Sequence, residues 1–487
     1  MRSIRDVGSR IRGWVSRTSK RRRAAALVVV LLAAGLGLSL RLDYLASLPA
    51  ILVEELEGQE GIQRLLVIAP HCDDELISCG GLIQEVLSRG GQARVAIVTN
   101  GDGSFSGTMV ELRQLYPTAR DYIRAGMGRQ VESLNAMLSL GLSEDDVVFL
   151  SYPDQGILPL WASYWDYGNP YRSPFTRLSS SPYVRTYNAE GRYCGELLLA
   201  DLCSLMREFE PDTVTAPHPA DIHRDHWATG AFAALATAMQ SDETRPRFLA
   251  YLAHRLDYPL PRGLLPFAPL LPPLRLVNDT SLWGKVTLPD ELVEAKGQAV
   301  ELYRSQLLLL GDFLRSFVRQ NELFCQLHVG QIAHLVEEQA LTPVVGEWQT
   351  VDAGEVLPLI EDSSRDSLGQ EVGSGGDFVA LYAAQVRGEL WVSARLRGNA
   401  SALLSYTCLC RGFNGRTASS SRVLFPVQAG RRPQSQTQGG YVLARFSLEE
   451  LGNPTGVIVH FEAAYPGGRA IDRVGWAVAS LSQQDAQ

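Results

Sequence analysis

Cysteine is scarce and scattered: seven residues in 487, Cys72, Cys79, Cys194, Cys203, Cys325, Cys408 and Cys410. The number is odd and no pair has zinc-ribbon spacing, so neither a disulfide framework nor a thiolate metal cluster is legible. Cys408 and Cys410, two apart in a strand, share a face and would bridge poorly, so all seven read as small hydrophobes. Internal repeats and low-complexity tracts are absent. Positive charge is equally scarce in the body of the chain. The formal net charge is -8, but residues 1 to 23 hold nine Lys/Arg against one acid, Asp6, which leaves -16 on the remainder. That balance argues against a nucleic-acid-binding body. A mean hydropathy of -0.03, with 46% hydrophobic and 20% charged residues, excludes both a disordered chain and a multi-spanning membrane protein. At roughly 150 residues per domain, the length suggests two to four folded units.

One long apolar run stands at the start. Lys20, Arg21, Arg22 and Arg23 lead directly into Ala24 to Leu40, seventeen uncharged residues rich in Leu, Val and Ala. A helix of that length reaches about 25 Å, and extension past Arg41, whose side chain can snorkel, completes a span. The expectation is a single-pass transmembrane anchor over 24–42, a basic cytoplasmic tail over 1–23 and an extracytoplasmic body. The rival is a cleaved signal peptide, but the run exceeds a usual signal core and no clean small-x-small site follows.

From residue 65 to 340, β-branched runs alternate with helical periodicity. Leu65–Ala69, Ala93–Thr99, Val147–Ser151 and Thr213–Ala216 read as strands buried on both faces, and Gly81–Leu87 and Arg129–Leu140 as helices. This predicts a doubly wound, mostly parallel, Rossmann-like α/β sheet, with ligands beyond the carboxyl ends of its strands. Residues 155 to 195, carrying Trp161, Tyr164, Trp165, Tyr167, Tyr171, Phe175, Tyr183, Tyr187 and Tyr193, read as a long ordered loop over the site. A helical stretch over Glu291–Gln339 closes this domain, placed at 60–340. From about 345 the texture becomes alternating strands separated by Gly, Asn and Ser, a C-terminal all-β sandwich over 345–487. Gly375-Gly376 before Asp377, and Ile471 to Trp476, resemble sandwich modules that accompany carbohydrate enzymes.

Chemistry concentrates in two segments. Leu65 to Ala69 ends in Pro70-His71-Cys72-Asp73-Asp74-Glu75, one imidazole and three consecutive carboxylates beyond a buried strand, followed by Gly80-Gly81. The bland alternative is a solvated loop in which Asp73 or Asp74 caps the next helix. The second segment, Pro217 to His226, places His218, His223 and His226 just after another strand. With Asp74, the histidines beyond strand ends supply a His/His/Asp set for zinc with an open fourth position, the layout of a catalytic site. His254, His328, His334 and His460 have no such context.

These blocks, with Val98-Thr99-Asn100-Gly101, Arg129-x-x-Glu132-x-x-x-Ala136 to Leu140-Gly141, Tyr152-Pro153-Asp154 and His223-Arg224-Asp225-His226, stand in the order of the PIG-L / LmbE-like family of zinc-dependent de-N-acetylases, which the chain resembles over roughly 62–335. Lys296-x-x-Ala299-x-x-x-Tyr303-x-Ser305-Gln306 and Asn321-Glu322-Leu323-Phe324 resemble the family's closing helix. The resemblance implies His71, Asp74 and His226 as ligands of Zn2+ and Asp73 as the general base that deprotonates the attacking water. It further implies His223 as stabiliser of the oxyanion and donor to the leaving amine, with Asp225 as its partner, and Arg129 and Asp154 as contacts to sugar hydroxyls. For Arg129 an i,i+3 pair with Glu132 is the competing reading. The family usually has Pro where this chain has Cys72.

The function implied is a metal-dependent amidohydrolase that removes an N-acetyl group from an amino sugar in a glycan or glycolipid, releasing acetate. The aromatic residues of the 155–195 loop either stack on pyranose faces or form the loop's own core. The rivals are a non-catalytic carbohydrate-binding surface protein on the same fold, against which Asp73 argues, and a zinc hydrolase of another amide.

Overall fold

The computed structural model describes residues 53–277, 282–327, 330–334, 358–362, 373–386, 388–415, 417–425, 435–438, 440–467 and 470–481. The expected anchor over 24–42 lies outside them. Among the described residues no helix is long and apolar enough to cross a membrane. The fold class is therefore corrected to a mixed α/β sheet followed by a β-rich region; the anchor, the membrane partner and the single-pass placement have no support and are dropped.

The first layer runs β1 (Arg64–Ala69), α1 (Asp74–Ser88), β2 (Gln92–Thr99), α2 (Phe105–Glu111), α3 (Ala119–Ser139), β3 (Val147–Tyr152), α4 (Ile157–Ala162), α5 (Gly195–Phe209), β4 (Thr213–Pro217), α6 (Arg224–Ala238), β5 (Arg247–Tyr251), β6 (Leu282–Thr287), α7 (Asp290–Val300), α8 (Arg304–Arg315) and β7 (Asn321–Gln326). The sheet order is β3-β2-β1-β4-β5-β7-β6. β1 to β5 are parallel, while β7 runs antiparallel to both β5 and β6, which makes the sheet mixed. The helical stretch expected over Glu291–Gln339 is thus two helices and then a strand. Asn321–Cys325 is buried throughout because β7 lies between β5 and β6.

The Gly80-Gly81 pair has a packing reason. The Glu322 carboxylate, from β7, accepts hydrogen bonds from Gly81 N at 2.7 Å and Leu82 N at 2.8 Å in the middle of α1. Lys296, from α7, donates to Glu322 Oε1 at 2.6 Å and to Ile77 O at 2.8 Å. A buried ion pair therefore enters the hydrogen-bond ladder of α1. A Cβ at Gly81 would come within 2.4 Å of Leu288 Cδ1 and 3.1 Å of Glu322 Cδ.

The second layer holds β8 (Gly330–Gln331), β9 (Ala333–His334), β10 (Ile360–Glu361), β11 (Phe378–Val386), β12 (Glu389–Leu396), β13 (Ser405–Phe413), β14 (Ala418–Phe425), β15 (Ser435–Gln438), β16 (Tyr441–Ser447), β17 (Gly456–Ala464), β18 (Ala470–Arg473) and β19 (Ala477–Ser480). One sheet runs β10-β11-β12-β16-β15, with β9 on β11; the other runs β14-β13-β17-β19-β8, with β18 on β17. Strand alternation sorts the side chains of the second sheet. Cys408, Cys410, Val457, Val459, Phe461 and Ala479 point into the sandwich core. Leu409, Phe413, Ile458, Trp476 and Val478 join the core around α5 and α6 instead. β13, β17 and β19 thus bury side chains on both faces, and Glu54–Gln487 forms one compact unit.

Candidate active site

In a sheet ordered 3-2-1-4-5, the direction of winding reverses between β1 and β4, and the loops leaving these two strands open a crevice. His71 and Asp74 follow β1; His218, Asp221, His223, Asp225 and His226 follow β4. The β4 loop is zipped to the chain after β5 by His218 N to Tyr251 O at 2.6 Å and Ile222 N to His254 O at 3.0 Å.

His71 Nδ1, Asp74 Oδ2 and His226 Nε2 form a triangle with sides of 3.1, 3.2 and 3.0 Å. Two imidazole nitrogens this close can share only one proton. A tetrahedral zinc with bonds of about 2.0–2.1 Å needs ligand atoms about 3.3 Å apart, close to this spacing. Asp74 Oδ1 is buried without a hydrogen-bond partner among the described residues. The donor set of two imidazoles and a carboxylate therefore fits zinc.

Each imidazole is backed by carboxylate. His226 Nδ1 faces Asp221 Oδ2 at 3.2 Å. His71 Nε2 lies 3.4 Å from Asp154 Oδ1 and 3.6 Å from Asp225 Oδ2. Such partners fix the tautomer and orientation of a ligating ring. Against burial, the charges of Asp74 and Asp221 push His226 up to about 9. His71 is raised well above its ordinary value, against burial, by hydrogen bonds to Asp154, Asp225 and Asp74. Asp74 is held well below the carboxylate range by His226 and His71, burial notwithstanding.

Asp73 immediately precedes α1, yet its side chain makes no cap hydrogen bond. Its φ of 133° is rare for a residue with a side chain, a strain of about 1–3 kcal/mol. The backbone is held there by Asp73 N donating to Glu75 Oε2 at 2.9 Å. Buried Glu75 in turn accepts from Tyr303 Oη at 2.6 Å and from Ser133 Oγ. Burial and the neighbouring charges of Asp74 and Glu75 raise the Asp73 pKa well above normal, which strengthens it as a base. His223 is pushed down to about 4 by burial and the charges of His71 and His226, so it is neutral at pH 7. Its ring stands edge-on to His71, centroids 4.9 Å apart, and its Nδ1 is buried without a partner among the described residues.

The structure therefore brings His71, Asp73, Asp74, Asp154, His223, Asp225 and His226 together around one crevice and gives Asp225 and Asp154 partners other than those expected. Asp225 accepts from Gln155 N at 2.6 Å and Ile157 N at 3.2 Å and faces His71, with no hydrogen bond to His223. Asp154 accepts from Gly103 N at 2.8 Å and also faces His71. Arg129 is buried, with Nη1 so close over Gly101 (φ +67°) that a Cβ there would come within 1.8 Å. Glu132 does not pair with it; that carboxylate accepts from Ser305 N and Oγ at 2.9 and 2.6 Å. Cys72 is buried with its thiol pKa pushed up by burial and Glu75, which makes it unreactive packing. Trp161, Trp165 and Tyr193 of the aromatic loop belong to the hydrophobic core, and Tyr183 is buried too.

Two participants were missed. Asp221 accepts from His223 N at 2.9 Å with Oδ1 and from His254 N at 2.9 Å with Oδ2, besides facing His226. His254 stands edge-on to His226, centroids 4.5 Å apart, and can share a metal with Asp74 and His226. Its position three residues past β5 obeys the same strand-end rule, but β5 itself was not recognised.

A cluster of imidazoles and carboxylates that could hold a metal ion, at the strand ends of an α/β sheet, is what these observations define. Residues 66–237 match the PIG-L family, GlcNAc-PI de-N-acetylase, so the chain carries a PIG-L-family domain. No curated protein matches the chain. Among solved structures, N,N'-diacetylchitobiose deacetylase from Pyrococcus horikoshii is 19% identical, with a TM-score of 0.34 over 55% of this chain and 86% of that one. A deacetylase of teicoplanin biosynthesis, solved with teicoplanin, is 21% identical, TM-score 0.34, over 54% and 97%. The 4-carboxy-2-hydroxymuconate hydratase from Pseudomonas putida KT2440 is 16% identical, TM-score 0.33, over 52% and 82%.

Proposed function

We propose that the protein is a zinc-dependent hydrolase that removes the N-acetyl group from an amino sugar of a glycan or glycolipid, releasing acetate and a free amine. The observation that carries this reading is the donor triangle of His71, Asp74 and His226, with Asp73 next to Asp74 in the chain on a backbone at φ 133° and its side chain making no cap hydrogen bond. The PIG-L match supports the acetylated amino sugar as substrate class.

His71 Nδ1, Asp74 and His226 Nε2 would hold the ion, which when bound acidifies water and polarises an amide carbonyl. Asp221 keeps the proton of His226 on Nδ1, and Asp154 with Asp225 keeps that of His71 on Nε2, leaving the opposite nitrogens free to ligate. Asp73 accepts the proton of the attacking water as its oxygen bonds to the carbonyl carbon. Neutral His223 donates an N–H bond to the developing oxyanion. The C–N bond then breaks, and the proton gathered on Asp73 goes to the amine. The charge of Arg129 acts on Asp73 and Asp154 and favours their ionised forms.

The test is acetate release by the full chain, zinc-loaded, across a panel of N-acetylated mono- and oligosaccharides and N-acetylglucosaminyl lipids. Turnover of at least one, abolished by chelator and restored by zinc, is the expected result. Absence of acetate from every member would overturn the proposal.

A further inference from the structure

The residues between the candidate ligands and the sandwich form two continuous chains of contact. Trp227, next to His226 on α6, gives its carbonyl to Trp476 Nε1 at 3.1 Å. The Trp227 indole also meets the His460 ring at 4.6 Å between centroids and the Arg473 guanidinium at 5.5 Å. The second chain passes through Arg411 of β13, which is 1% exposed. Its guanidinium lies 3.4 Å over the Trp165 ring and 4.7 Å over Trp161, and donates to the Trp161 carbonyl. Trp161 is on α4, and the amides of Gln155 and Ile157 at the head of α4 hold Asp225 against His71. Trp161 and Trp165 then pack on Phe232 of α6, at 4.9 and 5.8 Å.

A detachable module would turn a polar outer face to water. Here Leu409, Arg411, Phe413, Ile458, His460 and Trp476 on that face are all buried. Burying a guanidinium is unfavourable without partners, and Arg411 finds its partners on the α/β side: two indole faces and a carbonyl.

We infer that the β-sandwich is part of the catalytic unit, and that Trp476 and Arg411 are positioning residues: Trp476 sets α6 and hence His226, Arg411 sets α4 and hence Asp225 behind His71. The inference rests on the proposed roles of His71, Asp74 and His226.

The experiment uses the full chain with Trp476→Phe, which keeps a ring but no N–H, and Arg411→Met, which keeps length but neither charge nor plane. Leu403→Ser, at a sandwich position 73% exposed, is the control. Backbone hydrogen exchange should rise in α6 for Trp476→Phe and at 155–162 for Arg411→Met, with β11 and β12 unchanged. Zinc affinity by chelator competition should fall 10- to 100-fold in both, the usual effect of losing an outer support of a ligand. On an acetylated substrate kcat should fall with KM held, while Arg411→Lys, charged but not planar, should not rescue. Parental exchange in α6 and α4 together with parental zinc affinity would overturn the inference; if Arg411→Met does not fold, Trp476→Phe decides alone. A parent that binds zinc but releases no acetate sinks the deacetylase reading and leaves this one to the exchange and zinc data.

Discussion

Asp221→Asn tests whether the carboxylate behind His226 has the weight assigned to it. In the parent, Oδ2 accepts from Ala253 N at 3.2 Å and His254 N at 2.9 Å and faces His226 Nδ1, while Oδ1 accepts from His223 N at 2.9 Å. An amide has one acceptor oxygen. Turned to keep the Oδ2 partners, it presents its NH2 to His223 N–H, and a buried donor goes unpaired at about 1–3 kcal/mol. The lost charge adds to this. Against burial, His226 and His254 hold Asp221 down at about 2, below its ordinary 3.8, and at 1.36 kcal/mol per unit that is about 2 kcal/mol. The folded pKa is the lower one, so this stability is complete above about pH 4 and disappears as pH falls through about 2. Metal-free Asp221→Asn should therefore lose about 3–5 kcal/mol of unfolding free energy in urea at pH 7. It should also bind zinc 10- to 100-fold more weakly by chelator competition. A variant matching the parent in both would refute the view that Asp221 orients His226.

Asp73→Asn should keep zinc and thermal midpoint, since one of three adjacent carboxylates is neutralised. It should lose 10²- to 10⁴-fold in kcat, about 3–5 kcal/mol of barrier, because an amide cannot take the water's proton; parental turnover would remove Asp73 as base. Asp74→Asn should instead lose zinc itself, read by metal analysis, and full retention would remove it from the ligand set. Glu322→Gln should destabilise by about 3–5 kcal/mol in urea, leaving Lys296 charged and unpaired inside the fold; adding Lys296→Met should recover part of that, and no recovery would show that the charge is not the source.

Strands β1 to β4 are legible because continuous apolar runs such as Leu65–Ala69 and Thr213–Ala216 can only be buried on both faces. Charge placed just beyond those runs marked the site. Legibility failed where a residue acts through geometry the chain order conceals. Asp154 and Asp225 lie 71 positions apart, and nothing local says that both close on one nitrogen of His71. β7 carries no strand signature because Asn321-Glu322 and Gln326 flank only three apolar residues, too short a run for either period to dominate. α1 begins at Asp74, not at Gly81, because the acidic side chains of Asp74 and Glu75 suit the positive end of a helix. The aromatic loop could serve as core or as sugar platform by composition alone, and burial of Trp161 and Trp165 on Phe232 makes those two core.

The sheet buried on both faces also has a consequence for how the molecule comes into being. Translation delivers α6 long before β13, β17 and β19, with about 240 residues between the end of the helix and the last strand. At roughly 5–20 residues per second, that gap lasts on the order of 12–50 s. For that interval the nascent α/β layer carries Trp227 on a surface that the sandwich has yet to cover, the kind of exposed apolar face that holdase chaperones recognise. Trp227 gains its contacts with His460, Arg473 and Trp476 only once β17, β18 and the segment before β19 have arrived.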